Sequence, residues 1–560
     1  MKKMMQSMLF LIAFGTTLMA QTTLDANQFV NDQITGPGVY LVETGKIYAF
    51  DGRLDVTWDI TIQGPAVDWI GSAENPPVLV NTPGDDGLAR QLMEIGTGGK
   101  VTLKNLMLSG LHSNGAVVGT FVANVGGEGF VADNVAAVDW QDFAFRNQFK
   151  GSVISLTNCV FLNGVRLSYS PWGGFPLRMD VACTDVTLEN NTVFNSGRLI
   201  ANSGPWLNAT VHELHCTYVN QTVNGHEQRA YEMIQANNIF YNYHFVGRKT
   251  TSNVYDSYFT TWNYFADAKA KLDSISLYLG NNFFYRQPEI DNWFVTSGGD
   301  SILPSLLWEH ANVDSFVTID NNYKIGTNYA EFEIGFNNYP DILAKQIQFL
   351  DEYWYSAHRG TDWPDWRVPS PVVWDTTTGI PSIAAWPPAM DLSYTNTYLQ
   401  KAGTDGLPLG DLNWFPSKKA EFLTNKTAII ASLRDSIANA KALYVPGSAT
   451  PMITPNMVSV KQEGSVIPQD YYLSNNYPNP FNPSTKITFG IPEQANVTVS
   501  VYNVLGQKVF EMTEHNLAAG SHSFNFDASK LSSGIYVYSI STINAAGQKF
   551  AASKKMMFLK

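Results

Sequence analysis

An all-β chain is what this sequence predicts: a right-handed parallel β-helix, a helical and irregular cap, and then a small immunoglobulin-like β-sandwich. Three observations carry that expectation. A segment of the form Val-x-Leu-x-Asn recurs at coil-sized intervals through the first half of the chain. A Trp- and Pro-rich stretch with two amphipathic helical patterns follows it. From residue 469 onward, short runs alternate polar and apolar residues between turn signals.

The first element is a leader. Lys2 and Lys3 precede an apolar run from Met8 to Phe14, and Leu18-Met19-Ala20 forms a small-residue cleavage site. This is the pattern of a secretory signal peptide over residues 1–20, which leaves Gln21 first in the mature chain. No later apolar run reaches the roughly 18 residues a membrane span needs, so no transmembrane segment is expected after cleavage. The net charge of −13 argues against a nucleic-acid partner, because that class needs a basic face. Cys159, Cys183 and Cys216 are an odd, sparse set, read as small buried apolar side chains rather than a disulfide framework.

Residues 21–339 are expected to form the β-helix. The repeat reads Val101-Thr-Leu103-Lys-Asn105, Val131-Ala-Asp-Asn134, Ile154-Ser-Leu156-Thr-Asn158 and Val186-Thr-Leu188-Glu-Asn190. It continues through Asn237-Asn238-Ile239-Phe240, Asn281-Asn282-Phe283-Phe284 and Asn321-Asn322-Tyr323. Asn105, Asn134, Asn158 and Asn190 lie 29, 24 and 32 positions apart, the length of one solenoid coil with variable loops. Alternating Val and Leu turn one face of each short strand inward. Asn tolerates the left-handed backbone of a sharp corner, and its amide can bond to the Asn of the next coil. One coil cannot bury its own apolar edge, but stacked coils bury a continuous core. Roughly a dozen coils of 20–30 residues are expected. An up-and-down sandwich would explain the alternation but not the repeated Asn-Asn-x-aromatic corner.

Residues 340–444 read as the cap. Pro340 opens a helical pattern over Asp341 to Leu350 with Ile342, Leu343, Ile347 and Leu350 on one stripe. Ser417 opens a second helix toward Tyr444, with Phe422, Ile429, Leu433, Ile437 and Ala440 as its buried stripe. The phrase Gly403-Thr-Asp-Gly-Leu-Pro-Leu-Gly410-Asp411-Leu-Asn-Trp414 resembles the closing phrase of some secreted bacterial β-helix proteins. A polar linker, 445–468, separates this body from the tail.

The tail, 469–560, alternates as a small sandwich: Val497, Val499 and Val501 against Thr498, Ser500 and Tyr502, with turns at Asn503–Gly506 and Ser532–Gly534. It carries Asn476-Tyr477-Pro478-Asn479-Pro480-Phe481-Asn482-Pro483, then Val501-Tyr502-Asn503-Val504-Leu505-Gly506-Gln507, Ser533-Gly534-Ile535-Tyr536-Val537-Tyr538, and a basic, apolar end. These residues closely resemble the type A C-terminal sorting domain of the bacterial type IX secretion system. The resemblance implies a cargo carried across the outer membrane by that machinery, its tail cleaved, and its body released or tethered at the cell surface.

No phosphate loop, His-Glu-x-x-His motif or Gly-x-Ser-x-Gly elbow occurs. The body resembles the pectate-lyase-like β-helix proteins, a fold whose extracellular members bind or cleave polysaccharides. That resemblance carries no catalytic residue over, since no lyase signature matches. Cations concentrate in one stretch: Arg146, Lys150, Arg166, Arg178, Arg198, Arg229, Arg248 and Lys249, with His212, His215, His226 and His244. Cations neutralise a uronate carboxylate, a base removes the adjacent proton, and aromatic rings stack on sugars. His226, Arg229, Arg248 and Lys249 are the catalytic candidates, and Trp140, Trp172, Trp206, Arg178 and His212 the ligand-binding ones. His212 and His215, three apart, are expected on different faces. Asp85-Asp86 and Asp180 with Asp185 offer calcium-type ligands without a diagnostic spacing. Two functions follow: a surface or adhesin-like scaffold that binds polysaccharide without catalysis, or a polysaccharide lyase or hydrolase.

Overall fold

A computed structural model describes residues 21–560 except 68–71, 73, 83–86, 166–172, 203, 205, 223–229, 250–275, 300, 303–322, 326–327, 331–333, 356–365, 376, 385, 387–388, 439–451, 454–460, 463–467, 469, 529–530, 545–546 and 560. The leader, 1–20, and the Asn321-Asn322 corner therefore lie outside the described residues. The chain divides into two compact units, 1–453 and 454–560.

The first unit is a parallel β-helix. Its first stack runs through Gln21–Thr23, Gly38–Leu41, Asp59–Gln63, Lys100–Ser109, Gly129–Trp140, Val153–Thr157, Asp185–Glu189, Asn208–Leu214, Ala230–Ala236, Ser276–Gly280 and Tyr323–Ile325, each parallel to the next. A second stack climbs beside it, from Ile47–Phe50 to Asn328–Ala330, sharing the long strands Lys100–Ser109 and Gly129–Trp140. Met452–Ile453, within the predicted linker, adds its last rung. A third stack has six strands: Leu54–Val56, Met93–Ile95, Thr120–Asn124, Phe143–Asn147, Phe175–Met179 and Ile200–Asn202.

Inward residues repeat coil after coil. Ile60 and Ile62, Val101 and Leu103, Ile154 and Leu156, Val186 and Leu188 are all buried in one interior. Each such side chain contributes about 1.5–3 kcal/mol relative to exposure, and only stacking makes that burial available. Tyr218, Phe240 and Phe284 stack along the axis with ring centroids 5.0 and 4.9 Å apart. Near the first coil, helix α1 (Val30–Gln33) contributes Val30, and the adjoining Leu24 and Ile34 join the same core. All three cysteines are free and buried, and burial raises their thiol pKa, to about 12 for Cys183.

The corners behave as the Asn repeat predicts. Asn105, Asn134, Asn158, Asn190, Asn237 and Asn281 have φ of 54°, 54°, 58°, 50°, 65° and 54°, in the left-handed region. His215, φ 53°, takes the same corner in the coil between Asn190 and Asn237. Asn134 donates to Asn105 at 2.9 Å, but Asn158 turns to Asp133 instead, so the amide ladder here is interrupted. A second corner column went unread: Asp139, Asn163, Asn195, Asn220 and Asn242, with φ of 50–63°. Asn163 bonds Asp139, Asn220 bonds Asn195 and Asn242 bonds Asn220, all at 3.0–3.1 Å.

A helix before residue 300 and the region after 339 cover the sides of the solenoid. Helix α2 (Pro288–Thr296) and helix α3 (Leu343–Tyr355) bury Ile290, Trp293, Phe349 and Leu350 against Val165, Phe245, Val246 and Trp366. Helix α3 starts at Leu343 because the Asp341 carboxylate accepts its N–H at 3.0 Å. Residues on either side of α3 bond along the second corner column. Tyr339 donates to Asn220 at 2.8 Å, the Trp366 carbonyl accepts from Asn195, Val368 exchanges two bonds with Asn163, Ser370 donates to Asp139, and the Trp374 indole donates to the Leu111 carbonyl.

The Gly403–Trp414 phrase descends the first column in the same way. Asn281 donates to the Ala402 carbonyl, Thr404 and Asn237 exchange two bonds, Asp405 meets His215 at 2.8 Å, Gly410 donates to the Asn237 carbonyl, and Asn413 donates to the Asn190 carbonyl. Helix α4 (Pro416–Ala438) then lays Phe422, Leu433 and Ile437 on the outward Leu214, Ile234, Ala236 and Tyr278 of the first stack. Lys426 pairs with Glu189, and Arg434 with Glu232 at 2.6 Å. Outward apolar residues on successive rungs match the helix stripe, which is why α4 lies along the solenoid's side.

The second unit is a sandwich of two antiparallel four-stranded sheets. Ile487, Phe489, Phe524 and Phe526 from one meet Val497, Val499, Val501, Tyr538, Ile540, Met556 and Phe558 from the other. Among the described residues no helix is long and apolar enough to cross a membrane.

Candidate functional site

The outer face of the third stack carries the densest chemistry. Asp55, Glu94, Ala123, Arg146, Arg178 and Ala201 stand in register across its six strands. Neighbouring rungs lie about 4.8 Å apart. At the early end Arg53 bonds Asp55 at 2.7 Å and Glu94 at 2.6 Å, so charge there is internally matched.

Further along, the row becomes cationic. Arg146 and Arg178 each donate through Nε to opposite oxygens of Asp180, at 2.6 and 2.7 Å. Both guanidiniums sit 5.0 Å from the centre of the Phe143 ring. Arg178 also lies 5.8 Å from Phe175, and Arg198 caps that ring at 5.3 Å. The two rings are 5.6 Å apart. Asp180, 16% exposed, therefore fixes two planar cations on an aromatic bed while each remains about 30% open to solvent. Among the described residues no hydrogen bond uses the terminal η nitrogens of Arg146 or Arg178. Oriented guanidinium forks of this kind bind carboxylate and sulfate groups in plane.

Of the sequence-based candidates, Arg178 lies on this face, and Arg146 and Arg198 from the same cationic stretch lie beside it. Sequence reasoning missed Phe143 and Phe175. A signal existed, since Phe143 and Phe175 are separated by 32 positions, as are Arg146 and Arg178. Trp206 follows the last strand of this stack, half-buried, its indole N–H without a hydrogen-bond partner among the described residues.

Two ligand-binding candidates are corrected. Trp140 is fully buried in the interior, its indole donating to the Phe175 carbonyl at 3.1 Å, so it cannot stack on a sugar. It fits because Gly164 has no side chain; a Cβ there would lie 2.1 Å from the ring. His212 meets Glu232 at 2.7 Å on the first stack, and Arg434 of α4 clamps the same carboxylate. Burial favours the neutral acid at Glu232, but the bonds from Arg434 and His212 prevail and hold its pKa below the ordinary value. His212 is thus held by packing and by its contact with Glu232.

The calcium pair is corrected as well. Asp180 is occupied by two arginines, and Asp185 lies on the first stack. Among the described residues no cluster of three or more His, Cys, Asp or Glu could hold a metal ion. His226, Arg229, Trp172, Asp85 and Asp86 lie outside the described residues. Arg248–Lys249 form a short antiparallel pairing with Ser301–Ile302. His215 and Asp405 are 0% and 2% exposed, a lock between corner and descending segment rather than a surface dyad.

The family described as "Secretion system C-terminal sorting domain" matches residues 475–554. No curated protein matches the chain. Solved structures with partial similarity include dimeric latent PorU from Porphyromonas gingivalis, 21% identical over 17% of this chain and 10% of that one, TM-score 0.14. CopC from Methylosinus trichosporium OB3b is 16% identical over 16% of this chain and 93% of that one, TM-score 0.13. Parabacteroides merdae β-glucuronidase is 19% identical over 18% and 13%, TM-score 0.13. These scores are too low to bear on fold or activity, and the chain spans about a tenth of PorU. The tail is a type IX sorting domain, which marks the chain for secretion to the cell surface or the extracellular space.

Proposed function

We propose that this exported chain is a non-catalytic surface scaffold that binds an acidic polysaccharide along the outer face of the third stack. The observation that carries the reading is the pair Arg146 and Arg178, pinned by Asp180 on Phe143 and with η nitrogens that make no hydrogen bond among the described residues. In a chain of net charge −13, a local cation pair on aromatic rings suits an anionic, sugar-like ligand. On this reading residues 1–20 direct passage through the inner membrane and residues 469–560 direct the outer-membrane step.

The enzymatic alternative, a pectate-lyase-like or other polysaccharide-degrading activity, needs a free base beside the cations. His212 and His215 are engaged with Glu232 and Asp405 on the first-stack side, which favours the scaffold. The test is to offer the purified full-length protein acidic and neutral polysaccharides while following binding, unsaturated uronate ends and reducing ends. Binding to acidic polymers without product, weakened in the Arg146→Ala/Arg178→Ala variant, is the expected result. Product formation, or binding indifferent to both arginines, would overturn it.

A further inference from the structure

The tail holds an exposed surface that its own fold does not use. In its second sheet, strand Gly534–Asn544 pairs on one side with Ala495–Asn503 and on the other with Lys549–Phe558. The inward residues of these strands, Val499, Val501, Tyr538, Ile540, Met556 and Phe558, fill the sandwich core. At one end the outward residues are apolar too. Ile535 and Met557 are cross-strand partners, 45% and 39% exposed. The adjoining turn, closed by the Asn503 N–H on the Gln507 carbonyl at 3.0 Å, lifts Val504 and Leu505 to 74% and 79% exposure.

Nothing in the turn requires apolar side chains there. The Asn503 carboxamide oxygen accepts from the Leu505 and Gln507 N–H groups, so the turn is held by Asn503 and by Gly506 at φ 76°. Exposed side chains cost water contact and give the fold no packing in return. The middle of the same outer face is rich in hydroxyl residues: Ser539 stands opposite Ser500 and Ser553, and Ser541 opposite Thr498 and Ala551. The last strand contributes Lys549, Lys554 and Lys555 and no acid, and among the described residues no carboxylate pairs with Lys549 or Lys555.

We propose that Val504, Leu505, Ile535 and Met557 form the contact by which the sorting machinery grips this tail. The occupant is a component of that machinery presenting an apolar pocket with a carboxylate rim, complementary to the four apolar side chains and to Lys555. The inference rests on the sorting role of residues 475–554 and adds the surface through which it acts.

The experiment expresses the full chain in a bacterium with a working type IX system and measures the secreted and periplasmic fractions. A tail-deleted chain tests the sorting role itself and must be retained for the surface to be tested at all. Val504→Ser/Leu505→Ser should cut the secreted fraction by roughly tenfold, the size of losing an interface anchor. Ile543→Ser is the control. Ile543 is 44% exposed on the same strand as Ile535 but eight positions along, roughly 26 Å away at strand rise, and should export normally. Protease resistance of the purified Val504→Ser/Leu505→Ser chain should match the parent, since both residues lie in solvent. Retention of the tail-deleted chain with normal export of the double variant overturns the proposal and leaves the sorting role standing. Equal retention of the Ile543 variant overturns it as well. Export of the tail-deleted chain overturns both.

Discussion

The outer faces of the second and third stacks have had opposite fates. Strands Val160–Gly164, Thr192–Ser196 and Thr217–Gln221 of the second stack are buried on both sides. Segments from 366 to 414 run down the two Asn columns that flank it and bond to its corners. In the third stack, Phe143–Asn147 keeps Phe143 and Arg146 partly open, and Phe175–Met179 keeps Arg178 open. The contrast separates architecture from use. Where the chain folds back on the solenoid, outward residues are apolar or amide-bearing and serve the fold. Where no described segment covers it, guanidiniums are held partly open on the surface, and the proposed acidic polysaccharide is the ligand they would meet.

The largest break in this contrast comes from inside. Trp140→Ala removes the indole beneath Gly164 and should cost about 3–5 kcal/mol in denaturant unfolding of the first unit. A loss under about 1 kcal/mol would mean that the interior there is loosely packed. Next is the lock on the covered side. Asp405→Ala strands His215 in a dry site and should cost about 3 kcal/mol or more.

The same descending segment carries two carboxylates with opposite pH behaviour. At Asp405 burial favours the neutral form, but His215 prevails and the pKa falls below the ordinary 3.8. Its stabilisation is present above about pH 4 and is lost as pH falls through the folded value. At Asp411 burial dominates and lifts the pKa to about 7. Its folded form keeps a proton that the unfolded chain releases near pH 4, so its contribution is greatest below that and declines as pH rises to about 7. Melting temperature followed from pH 4 to 8 should fall less steeply in Asp411→Asn; an unchanged slope would mean that Asp411 does not keep its proton. The smallest effect on stability belongs to the open face. Arg146→Ala/Arg178→Ala should shift unfolding by only about 1 kcal/mol, yet weaken acidic-polysaccharide binding by roughly tenfold or more. A large stability loss with unchanged binding would invert the assignment of the two faces.

The corners were legible because Asn105, Asn134, Asn158 and Asn190 each close a strand that alternates apolar and polar residues before them. Asn163, Asn195, Asn220 and Asn242 instead follow runs of consecutive apolar or aromatic residues without that alternation, so their column appears only when the strands stack. Trp140 was misread because a tryptophan's composition is the same on either face of a strand, and only Gly164, one coil later, decides which face has room. His212 was misread because the Glu232 carboxylate it meets is clamped by Arg434, 222 positions from His212 on a helix whose docking no local pattern encodes. The cationic face was half legible. Its arginines stand out in an acidic chain, but the phenylalanines beneath them show only through the shared spacing of 32.

Hydrogen–deuterium exchange of the full chain with and without a bound acidic polysaccharide tests the central claim most directly. Protection confined to strands Phe143–Asn147, Phe175–Met179 and Ile200–Asn202, with residues 366–414 unchanged, is the predicted footprint. Protection along 366–414 or the outer first stack, with the third stack unaltered, would contradict it.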